Sequence, residues 1–198
     1  MMLIEQTTVP VAALPVQILK DHLRLGTGFA DEAVQDGLVE SHLRAAIAAI
    51  EARIGKALLA RQFKLVLADW RDAAAQALPL APVSAVASVT LVEAGGASQV
   101  VAPARYRVQA DRHRPRLVGV GMLLPSVPVE GQVEIVFTAG FGPGWSSVPG
   151  DLAQAVLLLA AQFYETRHEA GMQGGLPLSV QVLIESWRNV RVLGGGAA

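Results

Sequence analysis

The chain has 198 residues, 16 basic and 17 acidic, a formal charge of −1 and no cysteine. The even balance argues against a dedicated nucleic-acid binder, which carries a basic excess, and the missing cysteines exclude disulfides, thiolate metal sites and a cysteine nucleophile. With 52% hydrophobic and only 17% charged residues, against about 25% charged in an ordinary soluble domain, the chain must hide much of its surface in a large core or against neighbouring subunits.

In chain order, residues 15–25 (PVQILKDHLRL) read as a short helix, with Pro15 in a first turn that needs no N–H from it. Gly26 and Gly28 interrupt it. A second helix is expected from 31 to about 58, opened by Asp31 and Glu32 at its positive end. Its apolar stripe is Val39, Leu43, Ile47, Ile50, Ile54 and Leu58. From Arg61 the period becomes two: Phe63, Leu65 and Leu67 point one way, Gln62, Lys64 and Val66 the other. Segments 84–93, 105–109, 116–120 and 132–138 are further strands, separated by Gly- and Pro-containing turns. Strands are thus expected only between about 60 and 140, in a small sandwich or barrel.

A third helix begins near Pro149, with Ser146 and Ser147 as candidate caps and Asp151 on the dipole. Leu152, Val156, Leu159 and Phe163 mark one face, and Leu157, Leu158, Ala160 and Ala161 make the other side apolar too, so burial nearly all round is expected. The run Leu152 to Phe163 is broken by Gln154 and Gln162 and is shorter than the roughly 20 residues a bilayer needs. The start, MMLIEQTTVP, lacks the basic region of a secretory signal, so a soluble protein made in the cytoplasm is expected. A last short helix, 177–189, carries Leu178, Val182, Leu183 and Trp187 in register, and the tail LGGGAA follows.

Signals for catalysis are weak. The histidines His22, His42, His113 and His168 are too far apart in sequence for a helical metal pair, and no G-x-S-x-G elbow places a serine nucleophile. Gly140-Phe-Gly-Pro-Gly144 lacks the lysine and hydroxyl of a phosphate loop and the spacing of a dinucleotide loop. It reads as a turn from strand to helix. No enzyme, metal or cofactor is expected.

Two clusters stand out. Arg105, Arg107, Arg112, Arg114 and Arg116 crowd into twelve residues, opposed only by Asp111. Three readings remain open: a solvated hairpin, a contact with an acidic partner surface, or nonspecific contact with DNA phosphate. The other cluster is Trp187 with Arg188 and Arg191. Tryptophan and arginine are enriched at interface hot spots, while a core position is the plain alternative for the tryptophan.

The order of segments carries a resemblance. An LKDHLRL helix is followed by IEARIGKALLARQFKLVL, with a strand directly after the long helix. Then come LPLAPVSAVASVTL, YRV, RPRLVGV and VEIVFTAGFG. Last come VPGDLAQAVLLLAAQFYETRH and LPLSVQVLIESWRNVRV. Over residues 15–192 this resembles the head–tail connector (adaptor) family of tailed bacteriophages and phage-derived gene transfer agents. The resemblance implies an α+β fold in which a helical bundle (15–58 and 147–192) carries a β-module (59–146) inserted between the long second helix and the penultimate helix. Residues 1–14 and 193–198 would be flexible or extended termini. It further implies a ring, commonly of twelve copies, beneath the portal protein at the neck of the particle, extending the DNA channel and meeting a tail or stopper protein. Portal docking would fall on Trp187, Arg188, Arg191 and Val192. The arginine run would line the channel or face a partner, touching DNA without reading its sequence. Another ring-forming neck or tail component, a stopper or tail terminator, is the alternative.

Overall fold

The structure is a computed structural model and describes residues 1–25, 32–121, 123–166 and 175–189. The chain runs β1 (Met2–Glu5), α1 (Val16–His22), α2 (Glu32–Ile54), β2 (Arg61–Leu67), β3 (Ala75–Ala77), β4 (Val83–Val92), β5 (Ser98–Val100), β6 (Tyr106–Gln109), β7 (Arg116–Gly119), β8 (Gln132–Ala139), α3 (Gly150–Glu165) and α4 (Leu178–Ile184). These elements make an α+β fold.

The stripe read from α2 is buried in full: Val39, Leu43, Ile47, Ile50 and Ile54 all face inward. The helix stops earlier than its pattern, at Ile54, because Gly55 takes a left-handed φ of 66°, the usual helix terminator. Leu58 is buried from the connection that follows. Helix α3 packs against α1, α2 and α4, and between Asp151 and Glu165 only Gln154 and Glu165 are exposed. The serines do not cap it. Ser146 and Ser147 lie in a single 3-10 turn, and Pro149 occupies the N-cap without a side-chain bond.

Helix α4 differs from its expected register. Val180, Ile184 and Trp187 face inward, while Leu178 and Val182 are exposed. The helix tightens into a 3-10 turn at Glu185–Trp187, and that tighter winding brings Trp187 into line with Ile184 at a spacing of three.

Strand order is β1-β2-β8-β4-β5 in one antiparallel sheet and β3-β7-β6 in another. Among the described residues the five-stranded sheet is open at both ends. Its central strand β8 buries Val133, Ile135, Phe137 and Ala139 in strict alternation. Residues of both sheets share one core, in which Phe63 stacks on Phe137 at 5.9 Å. A second core belongs to the helices. The expectation that strands are confined to about 60–140 is corrected by β1, which pairs antiparallel with β2, Leu3 opposite Leu65. Four residues hold no readable period, and a partner some sixty residues away decides their state. Gly140 marks the turn out of β8. Its φ is 135°, and a Cβ there would lie 2.4 Å from the Ala60 backbone, so only glycine lets the two segments pass.

Candidate functional site

Of the described site residues, Arg112 and Trp187 meet at the seam between the two cores, while Arg107 and Arg116 belong to the smaller sheet and Arg105 to the turn that enters it. Just after α2, the backbone of Lys56 and Ala57 meets Ala81 at the entry to β4, with Ala57 N–H donating to the Ala81 carbonyl at 3.0 Å. On the return to the helices, Ala60 N–H donates to Gly142 O at 2.8 Å. Backbone bonds thus tie helix and sheet at both of these crossings.

Side chains add two further ties. Arg61 Nη2 lies 2.7 Å from Glu51 and its Nε 3.0 Å from Glu5, joining α2, β2 and β1. Glu51 also accepts the Leu58 N–H at 2.7 Å. Burial works against the Arg61 charge, but the hydrogen bond and charge of Glu51, then those of Glu5, outweigh it and raise its pKa above the ordinary value. The guanidinium lies over Phe63, 4.9 Å from the ring centre.

The second tie holds Lys56, which is wholly buried. Its Nζ donates to Arg112 O at 2.5 Å and lies 3.2 Å from His113 Nδ1. Burial first, then the Arg112 charge, lowers its pKa from 10.5 to about 8, against the opposing pull of Asp111. His113 is shifted down by its own burial and then by Lys56 and Arg112. Sequence reading passed over Lys56. The signal was a lone lysine in IGKALLA, amid apolar residues directly after a helix-ending glycine.

The arginine run divides. Arg105 ends a 3-10 turn before β6, Arg107 sits in β6 opposite Val118, and Arg116 in β7 lies between Ala77 and Gln109. Arg112 and Arg114 occupy the intervening loop. Asp111 accepts the N–H groups of His113 (2.7 Å) and Arg114 (2.6 Å); these two bonds hold its carboxyl below the usual range. The acid that opposed the run in sequence is therefore the loop's own clamp. All five arginines are exposed, yet the Arg112 guanidinium lies 4.0 Å from the centre of the Trp187 ring.

That contact joins the two clusters that stood apart in sequence. Trp187 is buried: its Nε1–H donates to Asp151 Oδ2 at 2.5 Å, and Phe141 meets its ring edge-on at 5.4 Å. Arg188 pairs with Glu185 at 2.9 Å. Asn189 passes over Gly55. A hollow of about 310 Å³ lies between His113, Glu185, Ser186, Arg188 and Asn189. Arg191, Val192 and His168 lie outside the described residues. Among the described residues no group of three or more His, Cys, Asp or Glu could hold a metal ion, and no helix is long and apolar enough to cross a membrane.

No protein-family model and no curated protein matches the sequence. Solved structures do. Over 98% of its length the chain is similar to a chain from the neck of an empty gene transfer agent (GTA) particle computed with C6 symmetry, covering 99% of that chain at 55% identity and a TM-score of 0.90. A chain from the virion of a native GTA particle matches at 55% identity over the same shares, with a TM-score of 0.87. A chain from the neck of a native GTA particle computed with C12 symmetry matches at 51% identity and a TM-score of 0.84, again over 98% of this chain and 99% of that one. At this identity over nearly the whole of both chains, the protein belongs to the family of structural neck proteins of gene transfer agent particles.

Proposed function

We propose that the chain is the head–tail adaptor of such a particle, a non-enzymatic subunit that forms a ring beneath the portal, extends the DNA channel and meets the tail or stopper protein. The observation that carries this reading is the 55% identity, over 98% of the chain, to a neck component from an assembly computed with C6 symmetry. Copies around a rotation axis meet through unlike flanks and close a ring; twelve copies fit both the C6 and the C12 relatives.

Portal docking is assigned to the segment from Arg188 through Arg191 and Val192. Trp187, enclosed by Asp151, Phe141 and Arg112, fastens the base of that segment to the chain's own core. Arg105, Arg107, Arg114 and Arg116, repeated around the ring, form a positive collar that faces the channel or an acidic neighbour. Such a collar holds DNA through phosphates, with affinity that falls as salt rises.

Co-sedimentation with the portal from the same genome tests the assignment. The full chain should enter a complex with the portal, and a chain ending at Trp187 should keep its fold and lose that complex. Binding only to tail components would make it a stopper or tail terminator. Replacing Arg107, Arg114 and Arg116 with glutamate should leave the melting temperature unchanged and yield particles that lose DNA or fail to attach tails. Normal particles from that variant would return the run to a solvated surface.

A further inference from the structure

Among the described residues, the five-stranded sheet leaves two strands with an unpaired side, β1 at one end and β5 at the other. Both are exposed: β5 along its whole length and β1 at all but Ile4. Neither carries the lysine, proline or bulge that commonly blunts a sheet edge.

The hydrogen-bond pattern says which groups are on offer. Gln6 N–H donates to Gln62 O at 2.8 Å. Bonded positions alternate along an antiparallel ladder, so Ile4 and Met2 turn their backbone groups toward β2. Leu3 and Glu5 turn theirs outward. On the other edge, Glu93 N–H donates to Ala97 O and Val101 N–H to Val89 O, both at 2.8 Å. Gln99 therefore bonds inward to Leu91, and Ser98 and Val100 point outward.

Two independent constraints then agree on how these edges meet. The first is direction. Five strands, each antiparallel to its neighbour, leave β1 and β5 running the same way. Copies repeated head to tail about an axis would bring β5 of one beside β1 of the next in parallel. The second is the side-chain face. Leu3 shares a face with Leu65, Ile135, Val89 and Val101 through the register of successive pairs, and Gln99 lies on that face too. Ser98 and Val100 lie on the opposite one. An antiparallel edge contact would set Leu3 directly across from Ser98 or Val100 and turn the next copy's core face the wrong way. A parallel contact sets Leu3 across from Gln99, on matching faces, and bonds it to Ser98 and Val100, the residues whose groups point outward.

We propose that β1 of one copy adds in parallel to β5 of the next, so that the five-stranded sheets of the ring join into one continuous belt. The proposal rests on the ring reading above and names its contact surface. The occupant is a second copy of this chain, because parallel edges of one sheet repeat head to tail without changing face, as a closed ring demands.

The cysteine-free chain allows a direct test in purified particles and in portal complexes of the full chain. Residues directly across parallel strands lie within the roughly 4.4–6.8 Å Cα range of a disulfide. Oxidation of a double variant, Leu3→Cys with Gln99→Cys, should give a ladder extending beyond the dimer on a non-reducing gel. Each single variant, and Leu3→Cys combined with Val129→Cys in a distant exposed turn, should give none. Separately, Leu3→Pro and Val100→Pro each remove an outward N–H while leaving the ladder within the copy bonded. Both should keep the monomer's melting temperature and lower the fraction of chain in rings at least tenfold. Rings of the double-cysteine variant that do not cross-link, together with undiminished rings in both proline variants, would overturn the belt and leave the ring reading standing. A wild-type chain that forms no closed oligomer in the particle or on the portal would overturn both.

Discussion

In the helical part the most enclosed element is α3, surrounded by α1, α2 and α4 with alanine and leucine on most of its faces. In the β part it is β8, which buries one face in strict alternation and is bonded on both sides, to β2 and β4. A helix satisfies its own backbone and needs only apolar cover. A central strand needs two partner strands as well as cover. The helical part therefore packs leucine, isoleucine and alanine around α3, with Trp187 at its edge, whereas the β part stacks Phe63 on Phe137 across paired strands. The seam carries two polar exceptions, Arg61 shared by two glutamates and the buried Lys56, while the other buried polar residue, Gln76, lies in β3 and donates to the backbone of Ala77.

Phe137→Ala should have the largest effect, about 3–5 kcal/mol of lost stability. If the seam couples the two cores, tryptophan fluorescence and far-UV circular dichroism will still fall in one denaturant transition. Two separated transitions would show the parts to be independent. Glu51→Ala leaves Arg61, only 10% exposed at its side chain, with Glu5 alone and strands the Leu58 N–H. With Glu5 still 3.0 Å from the guanidinium, it should cost about 2–3 kcal/mol, measured by the same denaturation, and a cost below about 1 kcal/mol would mean that Arg61 relaxes into solvent.

Lys56 gives a test in pH. Its folded value of about 8 lies below the ordinary 10.5, so between those values the unfolded chain holds more protons than the folded one. Stability therefore rises with pH across that window. Lys56→Met abolishes the rise, and the stability difference between wild type and variant should shift toward wild type from pH 8 to 10.5. A flat difference would mean that the amine is solvated. Arg112→Ala should be the mildest, about 0.5–1 kcal/mol for an exposed cation over an indole, with tryptophan emission altered because its partner is Trp187.

Much of the fold was legible in periodicity. The inward face of α2, the all-round burial of α3 and the alternation of β2 and β8 each follow from spacings within a single segment. The site was less legible, because its members meet across long separations. Asp111 read as a lone acid against five arginines, yet it serves the backbone of its own loop. Trp187 and Arg112 read as separate clusters, yet one lies on the other.

By itself, then, the sequence determined the class of each long element, the absence of thiol chemistry and the order of segments that resembles a neck protein. These rest on local spacing and residue type, which need no knowledge of what lies across the fold. Only the tertiary structure decided β1, the register of α4, the burial of Lys56 and the pairing of Arg112 with Trp187. Each depends on a partner remote in sequence, and a short segment or a single side chain carries too little local preference to name that partner in advance.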